Sequence, residues 1–241
     1  MFMKKLNRVG EKYTTNQGYI VEIVEYFNSL NITLKFEDGT LIYNIRFGNL
    51  KRGNVSHPLR KSVFGVGYIG IGKYKSTENG RETVSYSRWS NMLSRCYSKK
   101  NLNNSLSVCE EWHNYQNFGA WFDENWDDVM NTSWHLDKDI RIKGNKIYSP
   151  SACMFVPKVI NNLFIRTTNK DIASTVEKSS GIFTPYLSKN KKTKGLGRYK
   201  NQKESYECYK YAKEGWIKEI ADEWKERLRI STYNEITQYK I

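Results

Sequence analysis

The residues best suited to chemistry lie in the segment WHLDKDIRIKGNKIYSPSACMFVPKVINN, where His135, Asp137, Lys138 and Asp139 stand close together and Asn161 follows on a predicted helix. Hard divalent cations prefer oxygen ligands, so the carboxylates of Asp137 and Asp139 and the amide oxygen of Asn161 could hold Mg2+. The plainer reading is an acidic pair that offsets local basic charge, and both stay open. Residues i and i+2 of a strand share a face, which would set His135 beside Asp137. The ordinary fate of a lone histidine beside Trp134 is packing or solvation, although imidazole is also the side chain that titrates near neutral pH. Lys138, with an unperturbed pKa of about 10.4, would be protonated there and suits phosphate binding better than proton abstraction.

Two further groupings carry ligand chemistry. Cys96, Cys109, His113 and Cys153 are the right types for a Cys3His zinc site, but their spacings form no close pairs, which favours buried thiols over structural zinc. Nothing marks an oxyanion site or an orienting third residue for Cys-His nucleophilic catalysis. The run KNKKTKGLGRYKNQK places Lys189, Lys191, Lys192, Lys194, Arg198, Lys200 and Lys203 together without one acid, with Tyr186 and Tyr199 nearby. Clustered cations with aromatics suit phosphate contact and stacking. A merely solvated basic face is the alternative.

The elements that must position these residues follow from periodicity. Residues 19–26 and 31–37 alternate as strands, and Asp38-Gly39 before TLIYNIRF predicts a hairpin turn into a third strand, so the N-terminus reads as a small β-barrel-like module. GNVSHPLRKS ends it near Pro58, and GVGYIGIGKY is a close-packed strand or loop, not a phosphate cradle, because the Walker lysine and serine are missing. Tyr86, Trp89, Leu93, Cys96 and Tyr97 fall at helical spacing, as do Tyr115, Phe118, Phe122 and Trp126. WHLDKDI and ACMFV read as short strands, and PKVINNLF as a helix begun by Pro157. Residues 165–180 are polar and Ser/Thr-rich and read as a linker. A long helix closes the chain, with Tyr206, Tyr209, Trp216, Ile217, Ile220, Trp224 and Leu228 on one apolar stripe that suits a core.

Composition narrows the partner. The formal net charge of +14 points to a polyanion, and the 14% aromatic content is enough to order small modules. No apolar stretch reaches the roughly 20 residues that cross a bilayer, and the start MFMKKLNRVGEKY lacks the apolar run of a signal peptide, so a cytoplasmic protein with no membrane partner is expected.

The segment HLDKDIRIKGNKIYSPSACMFVPKVINN resembles the strand, loop, strand and helix core of phage HNH homing endonucleases, written DHxxxxxxxN, SPxNCxW and a late Asn. YSRWSNMLSRCYSKK and VCEEWHNYQNF are similar to the leader of such proteins, and the likeness spans roughly residues 85–164. In that family a histidine takes a proton from water while a divalent cation stabilises the phosphorane charge. The resemblance sets Asp137 on the family's Asp and Asn161 on the late Asn, but Lys138 where the base stands and Ala152 where the second Asn stands. It implies catalytic positions at Asp137, Lys138 and Asn161 in a degenerate centre; His135, on the same strand face as Asp137, is the candidate substitute base, and Asp137, Asp139 and Asn161 are the candidate Mg2+ ligands.

GLGRYKNQKESYECYKYAKE resembles the LGxFxTxEEAAxAYDxAA end of AP2-type DNA-binding domains, in which a small sheet is backed by a helix. From Gly181 to Leu196 the chain is short for that family's first two strands, which implies a truncated sheet. The expected fold is α+β and multi-module: an all-β module at 1–57, an HNH-like ββα domain at 58–164, a linker at 165–180 and an AP2-like module at 181–241. The expected function is that of a phage protein, in the cytoplasm of an infected bacterium, that binds double-stranded DNA. An active Mg2+-dependent endonuclease, or a protein that docks on an acidic host partner, are the alternatives.

Overall fold

The computed structural model describes residues 8–101, 105–127, 129–131, 133–164, 174–177, 181–189 and 192–241. Its class is mixed α+β, in several small sheets. The chain divides into two compact units, the first holding residues up to 104 with 108–121, the second holding 105–107 with 122–241. That division falls inside the span that patterning assigns to one central domain.

In the first unit, β1 (Lys12–Thr14), β2 (Ile20–Asn28), β3 (Asn31–Phe36) and β4 (Leu41–Ile45) form an antiparallel meander in the order β1-β2-β3-β4. Alternation along β3 buries Ile32, Leu34 and Phe36, which join Val21, Ile23 and Val55 and are covered by Leu50 of helix α1 (Phe47–Lys51). The predicted hairpin turn is present: Gly39 takes φ +88°, and the Asp38 carboxylate accepts the Thr40 N–H at 2.9 Å. The expected barrel is not. The sheet stays open, because strands this few and short cannot close on themselves, and α1 covers the apolar face instead. His57 ends the module with its ring 4.5 Å from Phe36 and its Nε2 3.0 Å from Asp38.

Further along the same unit come a small hairpin of β5 (Thr77–Glu78) and β6 (Arg81–Glu82) and helix α2 (Val84–Tyr97); strand β7 (Ser107–Val108) and helix α3 (Tyr115–Asn125) follow, each divided between this unit and the second. Thr83 caps α2 by accepting the Tyr86 N–H. The helical spacing of Trp89, Leu93 and Cys96 becomes a buried face, and Trp112, Tyr115 and Phe118 are buried with them. Trp89 Nε1 donates to the Trp112 carbonyl at 2.7 Å, so this indole enters the core without orphaning its N–H. The Gly-rich stretch is a close-packed loop. A methyl on Gly67 would lie 2.5 Å from Leu93 and 2.9 Å from Trp89. Gln116 secures the loop, donating to the carbonyls of Ile69 and Tyr74 and accepting the Tyr74 N–H.

The second unit contains β8 (Trp134–Asp137), β9 (Ile147–Tyr148), β10 (Met154–Pro157) and helix α4 (Lys158–Phe164), followed by β11 (Ser174–Glu177), β12 (Ile182–Lys189), β13 (Lys192–Gly195), α5 (Gln202–Glu223) and α6 (Ile230–Thr237). β8 and β10 pair antiparallel, with His135 opposite Val156 and Asp137 opposite Met154, and α4 packs on both. Phe155 is edge-on to Phe122 and Trp126, while Trp134 reaches Trp224 at the end of α5.

The segment read as a linker carries β11, which pairs with β12 to make a three-stranded sheet, β11-β12-β13, packed on α5. The expected truncation is thereby corrected: the missing strand lies upstream, in a Ser/Thr sequence whose polarity hid it. The closing helix is also shorter than its apolar stripe. It ends at Glu223, and the chain turns where Arg229 grips Asp127 through two bonds of 2.8 Å.

Candidate functional site

The ββα segment is the first place to test for chemistry. His135 and Asp137 alternate with the buried Trp134 and Leu136, so both lie on the opposite face of β8. From α4, Asn161 meets His135, its Nδ2 standing 3.3 Å from Nδ1. With Nδ2 donating, the ring proton sits on Nε2. With the amide turned over, Oδ1 accepts Nδ1–H and the Nε2 lone pair is the basic one. A positioning amide on this imidazole is therefore built in.

Asp137 and its neighbours serve the loop. One oxygen of Asp137 accepts the backbone N–H groups of Asp139 and Ile140, each at 2.8 Å. Burial pushes its carboxyl above the usual carboxylate range, against the opposing pull of those N–H groups. Lys138 is buried, contrary to the expected phosphate ligand: its ammonium donates to the Asp139 carboxylate and to the Asn145 carbonyl, and lies over the Tyr148 ring. The structure thus pairs Asn161 with His135, and Asp139 with Lys138. Ala152 is buried in the turn before β10, where Arg141 donates to the carbonyls of Ser151 and Cys153 on either side.

Two residues missed by sequence reasoning organise this loop. Asn145 donates to the carbonyls of Lys138 and Ile147 and accepts the Ile147 N–H. Arg141 Nε reaches both oxygens of Glu235 on α6, at 3.0 and 2.9 Å. The K-G-N-K turn pattern was the one signal for Asn145. A partner 94 positions away left none for Arg141.

Of the zinc candidates, Cys96, Cys109 and His113 belong to the first unit and Cys153 to the second. Burial raises the Cys109 thiol above its ordinary value, and burial with the charge of Lys61 lowers the His113 imidazole. Among the described residues, no three His, Cys, Asp or Glu side chains come together as a metal-holding group.

The basic run occupies the β12–β13 edge and the start of α5. Pro185 is buried on the helix-covered face of β12, and register places Leu187 and Lys194 on that side, with Lys192 opposite Lys189. Thr184, Tyr186, Ser188 and Thr193 fall on the other side, where the Ser188 and Thr193 hydroxyls lie 2.7 Å apart. Lys192, Lys194, Arg198, Lys200 and Lys203 are all exposed, the last in the first turn of a helix capped by Asn201. Lys191 and the side chain of Lys189 lie outside the described residues. Tyr199 is half-buried, its hydroxyl donating to the Leu196 carbonyl and its backbone paired with Phe183.

Compared with protein-family models, with curated proteins and with solved structures, the chain matches none. Among the described residues, no helix is long and apolar enough to cross a membrane.

Proposed function

We propose that this chain is a phage-type protein that binds double-stranded DNA through its phosphates, and that its ββα segment is a degenerate relative of an HNH nuclease centre. The observation that carries the reading is the acid-free basic run, exposed at one sheet edge and continued into the N-terminal turn of α5. Phosphates gain from clustered lysine and arginine charge, and from the positive end of a helix when cations surround it. Interactions of this kind fix a protein on a duplex without reading bases.

The test is equilibrium binding of labelled duplex over a salt series. Lys192→Gln, Lys194→Gln and Lys200→Gln combined should lower the magnitude of the log Kd against log salt slope by about 0.9 for each phosphate that is no longer neutralised. An unchanged slope would remove the run from the interface, and no binding by the parent at low salt overturns the function.

A second reading, a live Mg2+-dependent endonuclease, is favoured by the His135–Asn161 contact. Its ligands would come from Asp137, Asp139 and Asn161, with His135 holding the proton taken from water. Plasmid incubated with Mg2+ or Mn2+ should then be nicked by the parent and left intact by His135→Ala. Nicking by that variant sinks this assignment.

A further inference from the structure

The face of the β11-β12-β13 sheet turned away from α5 sets an aromatic ring beside a bare backbone. Register places Tyr186 opposite Gly195 and Ser188 opposite Thr193, and Thr184 lies on the same side by alternation. Tyr186 is 41% exposed, and an exposed tyrosine alone is ordinary. The residue opposite it is not. Glycine weakens a strand because it has no side chain to pack, and where it stands in one it marks a bulge, a bend or the close approach of a backbone or ligand. Gly195 answers to none of the internal reasons. Its backbone does not take the positive φ that favours glycine, and its pairing with β12 is regular. Among the described residues, the atoms nearest to a methyl built on it are side-chain atoms at ordinary contact: Tyr186 Cε1 at 3.5 Å and Cδ1 at 3.9 Å, and Thr184 Cγ2 at 3.6 Å. A small side chain would therefore fit. What glycine keeps open is the place against the Tyr186 ring.

The surroundings of that place are polar and cationic. The Ser188 and Thr193 hydroxyls lie 2.7 Å apart on the same face, and no acid occurs from Gly181 to Lys203. β13 is an edge strand, along which the exposed Lys192 and Lys194 alternate with Thr193 and Gly195. A ring with an open flank beside a row of cations matches a flat base joined to phosphates. Within a duplex both faces of a base are covered by its neighbours, so this ring can stack only on a base that is unpaired.

We propose that this sheet face binds single-stranded DNA, with one unpaired base stacked on Tyr186 in the space left by Gly195 and the phosphates beside it drawn to Lys192 and Lys194. Stacking of this kind is tolerant of sequence, since every base has a π-face. The proposal rests on the DNA-binding reading above and narrows it: the preferred substrate is a duplex that continues into a single strand.

The experiment uses the full chain and two labelled DNAs read by anisotropy, a duplex with a single-stranded thymine tail and the same molecule with abasic sites along the tail. Both present the same phosphates, so their affinities differ through the bases. The parent should bind the base-bearing tail roughly tenfold more tightly, as one stacked base allows. Tyr186→Leu should bring that ratio to unity, and Tyr186→Trp, which keeps a ring, should retain it. Gly195→Thr fills the open place with a residue that suits a strand, and should lower the ratio with the tyrosine still present. Both altered positions are exposed, so melting should match the parent; if Tyr186→Leu melts early, Gly195→Thr carries the test. A parent that responds to the Lys192, Lys194 and Lys200 substitutions but binds the two tails equally overturns the stacking site and leaves the basic run. A ratio that survives both Tyr186→Leu and Gly195→Thr does the same. A parent that binds neither DNA at low salt overturns both readings.

Discussion

Asp137 holds a half-buried carboxylate whose hydrogen bonds serve the loop, while its charge is held at a cost. Because burial raises its pKa above the unfolded value, the folded chain binds this proton more readily than the unfolded one. Stability contributed through this group is therefore full at pH below the ordinary carboxylate range and falls as pH rises through the raised value. Asp137→Asn keeps an oxygen for the N–H groups of Asp139 and Ile140 and removes the charge, so it should melt above the parent at neutral pH and converge with it in acid. Asp137→Ala leaves those N–H groups without their acceptor and should cost about 1–3 kcal/mol by chemical denaturation. A parent more stable than Asp137→Asn at neutral pH would refute the burial argument. At this scale the sequence showed which residue types stand together but not which of them meet. Lys138 read as a phosphate ligand because its type and charge were visible, whereas its burial against Tyr148 and Asn145 depends on how the loop folds back.

Elements were legible where their apolar period was strong. The alternation of β2 and β3 and the helical spacing of α2 and α3 each place a buried face against a core, and these emerge as expected. β11 was hidden because a polar Ser/Thr sequence has no apolar alternation to announce it, and a strand of this kind is fixed by its neighbour. α5 was over-extended because Trp224 and Leu228 continue its stripe past the point where the Arg229–Asp127 pair turns the chain. The Gly-rich loop left strand and loop equally open, and its glycines answer to packing. Gly67→Ala would press a methyl into Trp89 and Leu93, and about 1–3 kcal/mol of stability should be lost. Gly80, which has nothing nearby to meet a side chain, provides the comparison: its positive φ penalises Gly80→Ala by backbone strain without any clash. Equal aromatic-core spectra in Gly67→Ala and the parent would argue against the close approach.

Over the whole molecule, an excess of 39 basic over 25 acidic side chains is itself destabilising, since like charges repel in the compact state. A polyanion that binds the folded chain should relieve it. Duplex DNA at a hundredfold excess over Kd should raise stability by about 2.7 kcal/mol at low salt, seen as a higher melting temperature. The gain should vanish in high salt, and a gain that persists there would point away from binding through phosphates. The two-unit division was invisible in the sequence, because composition does not change where the chain passes from one to the other. That passage carries a consequence for how the protein is made. Trp112, Tyr115 and Phe118, which complete the first unit's core, are encoded after a brief excursion of 105–107 into the second, and α3 itself crosses the division at Trp121. As the chain leaves the ribosome, the first unit must therefore wait, with Trp89 and Leu93 uncovered, until half of the protein has emerged, so ribosome-bound chains in which only residues 1–104 have cleared the exit tunnel should be readily cleaved by protease and those in which residues 1–125 have cleared it should resist.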